Sequence, residues 1–234
     1  MYEAVHAQPD GESTVATLVE TAAAYGFEGV VVRNHSNARA SYDATELRAE
    51  HDIDIVRGVE IRAENPQHAS GAVGNFRTDE TIVVVEGGTN DLNRFAVENE
   101  KVDVLAHPMA NGGDVNHVMA KAAVENGVRL EFSLADVLRD HGGHRVRVIQ
   151  SLRKLAEIVD YYDVPYVVSA DPFSHLALRA PRELRALGDA IGLSSTFVED
   201  GLDEWGRIAT RNRRIQSESF IEPGVERGRY EADN

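Results

Sequence analysis

VPYVVSADPFSH, residues 164–175, is the stretch from which the fold can be read. Val164 to Ala170 is an apolar run without polar alternation, the pattern of a parallel strand buried on both faces. It ends in Asp171 and His175, placed as a metal-binding or acid–base pair stands at the mouth of a barrel. Directly after it comes LRAPREL, 178–184, where Arg179 and Arg182 bracket a helix start at Pro181. One stretch therefore carries two chemistries, one suited to a metal and one to a polyanion.

Working outward, six further runs read as strands: Tyr2 to His6, Gly29 to Asn34, Ile53 to Arg62, Thr81 to Glu86, Val102 to His107 and Val128 to Ser133. GVVVR and TIVVVEGG share the unbroken apolar character of the first. Helical segments lie between them. Asp43 with Glu46 makes a capping pair, Asp114 is placed to cap a helix closing at Asn126-Gly127, and Gly192 stands near the end of the helix begun at Pro181. From about Gly143 to Tyr162, Val148, Leu152, Leu155, Val159 and Tyr162 recur at three- and four-residue steps, so that face packs on the sheet and Arg147, Arg153 and Lys154 point outward. Seven βα-type units in this length predict an α/β fold, a distorted TIM-like barrel of about seven parallel strands over residues 1–215, rather than an open doubly wound sheet. Neither a G-x-G-x-x-G nor a G-x-x-x-x-G-K-S/T phosphate loop argues otherwise. Residues 216–234, QSESFIEPGVERGRYEADN, are polar without periodicity, and a disordered tail is expected there.

Composition narrows the chemistry. The 234 residues are 42% hydrophobic, enough for a buried core. Cysteine is absent, which excludes disulfides, thiolate zinc sites and cysteine nucleophiles. No apolar run approaches a membrane span, and MYEAVHAQPDGES has neither a basic nor an apolar leader region, so a cytoplasmic protein with no membrane contact is expected. The 39 acidic residues against 24 basic ones give a formal charge of −15, which by itself opposes a polyanionic partner. Lysine, however, appears only at 101, 121 and 154, the other basic residues being arginine. Many carboxylates with scarce lysine suggest a salt-loving source, whose acidic coat keeps the protein hydrated while salt screens its self-repulsion. Net charge then reports habitat more than partner.

A barrel of this kind gathers its strand ends on one face. There the sequence places His6, Asn34 and His35, Glu60, His107, Glu131, Asp171 and His175. Imidazoles and carboxylates in a ring can bind zinc, manganese or iron, and two such ions can clamp a phosphate ester. GVEI, LAHP and SAD followed by a histidine resemble the polymerase-and-histidinol-phosphatase family of metal-dependent phosphoesterases, a distorted seven-stranded barrel. The departures fall on the ligands. The family's first His-x-His is His6-Ala7-Gln8 here, its Asp-His is Asn34-His35, and its last Asp-x-His is stretched to Asp171 and His175. Glu60 and Glu131 equally suit structural carboxylates that accept backbone or arginine hydrogen bonds.

A second resemblance is broader. LRAPREL leading into RALGDAIGL, preceded by VVSAD and matched upstream by GVEIRAEN, VDVLAHP and HVMAKAAVENGVRLEFSL, is similar to the barrel-subunit family of ribonuclease P, protein component 3 in archaea and the thirty-kilodalton subunit in eukaryotes. It covers roughly residues 2–215 and accommodates an eroded metal ring, since that family uses the phosphoesterase barrel as a scaffold. The resemblance implies an accessory role in removing the 5′ leader from precursor tRNA. The RNA subunit performs the hydrolysis with magnesium, while the protein has no catalytic residue, metal or cofactor of its own. The implied partners are the RNase P RNA, a small ferredoxin-like protein subunit, other RNase P proteins and, indirectly, precursor tRNA. A free-standing metal-dependent phosphoesterase is the alternative, with His6, His35, Glu60, His107, Asp171 and His175 as its ligands.

For RNA contact the first choice is Arg179 with Arg182, flanking a helix N-terminus where free N–H groups favour an anion. Lys121, Arg33, Arg153 and Lys154 follow. Surface ion pairing is the competing explanation for each. Arg207, Arg211, Arg213 and Arg214 form either a further patch or the basic end of a helix complementing its dipole.

Overall fold

The computed structural model describes residues 1–217, together with the backbone of 220–222 and 225–226. Seven parallel strands succeed one another in spatial order, β1 (Tyr2–Val5), β2 (Gly29–Val32), β3 (Asp54–Ile61), β4 (Ile82–Glu86), β5 (Val104–Ala106), β6 (Arg129–Ser133) and β7 (Tyr166–Ser169). All lie within the expected runs. Helices α1 (Val15–Tyr25), α2 (Ala44–His51), α3 (Pro66–Phe76), α4 (Asn90–Val97) and α5 (His117–Asn126) fill the first five connections. The short α6 (Ala135–Arg139) and long α7 (Gly142–Tyr162) share the sixth; α8 (Pro181–Ile191) and α9 (Ser195–Ile215) follow β7. Most of the expected 216–234 tail falls outside the described residues. Within it Phe220–Glu222 pairs antiparallel with Val225–Glu226.

Side-chain chemistry sets the helix limits. Asp43 accepts the N–H groups of Thr45 and Glu46, as expected of an N-cap. Asp114 does not cap α5. Asn116 does, accepting from Val118 and Met119, because the helix starts later than the sequence suggests; Asp114 accepts from Val115 and pairs with Lys154 instead. Gly26, Gly127 and Gly192 end α1, α5 and α8 at φ of 87°, 66° and 84°, a region glycine enters without steric cost.

The barrel does not close by a strand ladder. Between β1 and β7 the buried carboxylate of Glu3 accepts from Ser169 Oγ at 2.6 Å and from the Ala170 N–H at 3.1 Å, and the His6 N–H donates to Pro172 O at 3.0 Å. Burial pushes the Glu3 carboxyl up to about 7, against the pull of Ser169, the Ala170 and Ala4 amides and Arg33. The seam is backed by α9, which lies against β1 and β7. Gly201 makes that approach possible, since a Cβ there would stand 2.4 Å from Val168 Cγ2. Trp205, fully buried, enters the lower barrel with Ile208 and Ala209, among Ala4, Val31, Val56, Val84, Val104 and Val167. Its indole N–H donates to Val168 O at 2.9 Å, satisfying the one polar atom the plug carries. The lower half of the barrel is thus dry. The upper half is ionic.

Candidate functional site

Alternation along the strands makes the ring at the mouth. In β2, Val31 faces inward, so the residue two on, Arg33, does too; Val56, Gly58 and Glu60 repeat the rule in β3. Arg33 has no exposed surface and lies at the centre of three buried carboxylates. Its Nη1 is 2.7 Å from Glu131 Oε1, Nη2 is 2.6 Å from Asp171 Oδ1, and Nε is 3.4 Å from Glu60 Oε2. The guanidinium carbon also sits 5.7 Å from the Trp205 ring, so the plug below supports it. The sequence reading sets Arg33 among the cations that face RNA. Buried among these groups, it cannot reach one.

Histidines complete the ring. His6 Nδ1 is 2.7 Å from Asp10 Oδ2, and its Nε2 is 3.2 Å from Asp171 and 3.5 Å from Glu60. His35 Nδ1 is 2.9 Å from the same Asp10, whose carboxylate also accepts the His35 backbone N–H. The His6 ring stacks on Phe173 with centroids 4.1 Å apart. His107 Nε2 lies 3.5 Å from Asp171 Oδ2. His107 and Asp171 hold φ of 48° and 47°, a conformation disfavoured for residues with a Cβ, so the ring geometry is maintained against local backbone strain.

These contacts set the charge of the most buried groups. Burial alone would lower the His6 pKa, but hydrogen bonds to Asp10, Asp171 and Glu60 raise it to about 10; His107, likewise opposed by desolvation, rises to about 9 beside Asp171. Desolvation would raise Glu60, yet Arg33 and His6 hold it down at about 2. Asp171 is held well below the ordinary carboxylate range by Arg33, His107 and His6 against the same penalty. Glu131 goes the other way, raised chiefly by burial despite Arg33. The ring is a mutually neutralising set of guanidinium, imidazolium and carboxylate.

Two groups among the described residues bring ligand atoms close enough to share one ion: His6, Asp10 and His35, and His35, Glu60 and Glu86. An ion shared by Glu60, Glu131 and Asp171 does not fit. It would have to lie where the Arg33 nitrogens already stand, 2.6–3.4 Å from those oxygens. Of the other expected ligands, His175 turns aside to Ser13 Oγ at 2.8 Å, and Asn34 spends its amide on Ala7 and Ala38. Gln8 is exposed, with its side chain on Glu12 O. Asp10, the hub of the two histidines, escapes the sequence reading because it lies in the loop after β1, beyond any strand-end pattern.

The expected RNA-facing cations divide. Half-buried Arg179 donates to Leu176 O and Leu178 O, stapling the turn before α8. Arg153 donates to Ile191 O at 2.7 Å, and Lys154 is 2.6 Å from Asp114. Arg182 and Lys121 are exposed, with no ion pair among the described residues. Arg213 binds Asp54 through two nitrogens at 2.7 and 2.9 Å.

Comparison with known proteins points one way. The family model described as RNase P subunit p30 matches residues 1–217. Ribonuclease P protein component 3 of Halorubrum lacusprofundi is 57% identical over 240 residues, covering all of both chains. Among solved structures, a chain of archaeal ribonuclease P determined with mature tRNA superposes with a TM-score of 0.83 at 20% identity, covering both chains fully. A histidinol phosphate phosphatase from Lactococcus lactis, complexed with zinc, L-histidinol and phosphate, gives a TM-score of 0.52 at 14% identity, over 82% of this chain and 93% of that one. The two likenesses share the barrel.

Proposed function

The chain belongs to the RNase P subunit p30 family, and from that premise we propose that it acts as a non-catalytic protein component of ribonuclease P, supporting an RNA subunit that removes the 5′ leader from precursor tRNA. Its partners on this reading are the RNase P RNA, a small ferredoxin-like protein subunit and other RNase P proteins, in the cytoplasm. Magnesium belongs to the RNA, and the protein binds no cofactor. Among the described residues no helix is long and apolar enough to cross a membrane.

The observation that carries the non-catalytic part is Arg33. A fixed guanidinium fills the space between the three carboxylates that a phosphoesterase would give to metal, and it cannot leave, exchange or activate a water. What remains for the chain to contribute is placement of positive groups against a folded RNA. Cations held close to phosphates lower their mutual repulsion and with it the demand for magnesium.

The test is a reconstitution. The purified protein, with its small partner subunit, is added to the RNA subunit and precursor tRNA across a magnesium titration, and separately to generic phosphoesters with magnesium, manganese or zinc. Cleavage at reduced magnesium, with no turnover by the protein alone, is expected. Phosphoester turnover by the protein with a stoichiometric bound ion, abolished in Asp171→Asn, would overturn the reading in favour of a free-standing phosphoesterase.

A further inference from the structure

We propose that the floor of the barrel, opposite the ionic mouth, is the face that docks the phosphate backbone of a folded RNA, through Arg182 on α8 and Arg207, Arg211 and Arg214 on α9. This rests on the reading above and specifies its surface.

The position follows from the packing of α9. Its C-terminal half lies against the strand starts: Asn212 donates to Thr81 O and Asp103, and Arg213 pairs with Asp54. Arg207, Arg211 and Arg214 succeed one another at four- and three-residue steps, which places them on one helix face, and they line one cleft of about 560 Å³ with Tyr2 and Met1. A neighbouring cleft of about 500 Å³, between the end of α1 and the start of α8, contains Arg182 and also reaches Met1. The two clefts therefore adjoin, and their cations form a band instead of a single spot. A band suits a repeating anion.

Availability distinguishes these arginines from most others in the chain. Trp205 to Ser217 contains four arginines and no carboxylate, in a protein of charge −15. Arg211 and Arg214 are exposed and make no ion pair among the described residues. Arg207 meets Glu204 at 3.2 Å, but that carboxylate is already held by Arg129 at 2.8 Å. The two acids lining the larger cleft, Glu28 and Asp203, are taken by the Met1 ammonium at 2.6 and 3.0 Å. Complementing the α9 dipole accounts for cations in the last turn, where Arg213 and Arg214 stand. It does not account for Arg207 two turns earlier, nor for Arg182 on another helix. Guanidinium also suits the chemistry, since it binds phosphate oxygens bidentately at short range, where salt screens least.

The experiment measures how much protein, with its small partner subunit, half-activates the RNA subunit at one low magnesium concentration, repeated over a range of KCl. The triple variant Arg182→Ala, Arg211→Ala, Arg214→Ala is compared with Arg57→Ala, Arg94→Ala, Arg145→Ala, which removes the same charge elsewhere. The first is expected to need ~10-fold more protein or beyond, with a log–log salt slope shallower by about 2 to 3; the second should change the requirement less than about twofold. Equal losses in both would mean net charge alone is read, and no loss in the first would remove the floor from the interface; either overturns the proposal while leaving the accessory function intact. A weakened complex with the small subunit measured without RNA would identify a protein-docking face and overturn it as well. Should wild-type protein fail to activate the RNA at all, the accessory reading falls first. Arg182→Glu alone, on a different helix from the rest, provides a second variant if the triple one folds poorly, and is expected to shift the requirement in the same direction.

Discussion

At the mouth of the barrel Arg33 has no exposed surface and three carboxylates within 3.4 Å. At the floor Arg211 and Arg214 stand in solvent with no ion pair among the described residues. Both sets are arginine in one acidic chain, yet the first is consumed by the fold and the second is spare. The contrast teaches that the count of cations says little about a polyanion partner; what matters is which carboxylates they already answer. It also separates two costs. Removing a buried partner strands charges in a poor solvent, whereas removing an exposed one returns the site to water.

The sharpest way to break the comparison is Arg33→Met, which keeps the volume and deletes the charge. Glu60, Glu131 and Asp171 would then lose the guanidinium between them, with only His6 and His107 left to answer them, and breaking a buried ion network of this kind costs about 3–5 kcal/mol. Urea unfolding at fixed KCl is expected to show that loss, with part of it recovered when Glu131→Gln is added. A loss below about 1 kcal/mol would mean the ring does not depend on its guanidinium.

How much of this is legible in the sequence follows from the kind of signal each residue gives. The seven strands are readable because runs such as Val30 to Val32 and Ile82 to Val85 have no polar partner to alternate with, a local property. Arg33 misleads for the converse reason. At the end of GVVVR it looks like the first solvent-facing residue, and only its parity with Val31 puts it inside; parity assigns a face, but which face is the barrel interior depends on the closed fold. The small residues Ala4 and Gly58 in the same inward rows are the available hint. Asp10 and Glu3 carry no such signal, because one acts from a loop and the other across a seam to Ser169 and Ala170, far away in sequence. The arginines of α9 can be recognised as a cluster, but Arg211 and Arg214 cannot be told from the paired ones until Asp54 is seen to take Arg213 and Glu204 to meet Arg207.

A smaller effect should come from pH. His6 is raised to about 10 and His107 to about 9, so their stabilisation is fully present below the ordinary histidine pKa of about 6.5 and is lost as pH climbs through 9 to 10. Glu60 and Asp171 are lowered, so their share is present above the usual carboxylate range and is lost as pH falls toward 2. Glu3, raised to about 7, works against the carboxylates: its share is present in acid and is lost as pH rises through 7. Between pH 8 and 10 both His6 and His107 lose protons, and a fall of about 3 kcal/mol in unfolding free energy is expected, roughly halved in His6→Gln. An alkaline limb of equal steepness in the variant would show that the ring is not held by its imidazolium.

The smallest effect tests the other side of the contrast. Arg211→Ala with Arg214→Ala removes two exposed groups that answer no carboxylate among the described residues, so the fold loses no partner and strands none. Arg214 lies in the last turn of α9, and its loss forfeits a few tenths of a kcal/mol of dipole complementation. The added self-repulsion of a more acidic chain is screened within about 3 Å at 1 M salt. The sum is about 0.5 kcal/mol, close to the ordinary scatter of surface substitutions. Arg213→Ala, one residue away from Arg214, breaks the two-nitrogen contact with Asp54 and should cost more, about 1 kcal/mol. If the double variant instead lost more than about 2 kcal/mol in urea at fixed KCl, those guanidiniums would be structural, and the floor would differ from the mouth only in exposure, not in what its cations are free to do.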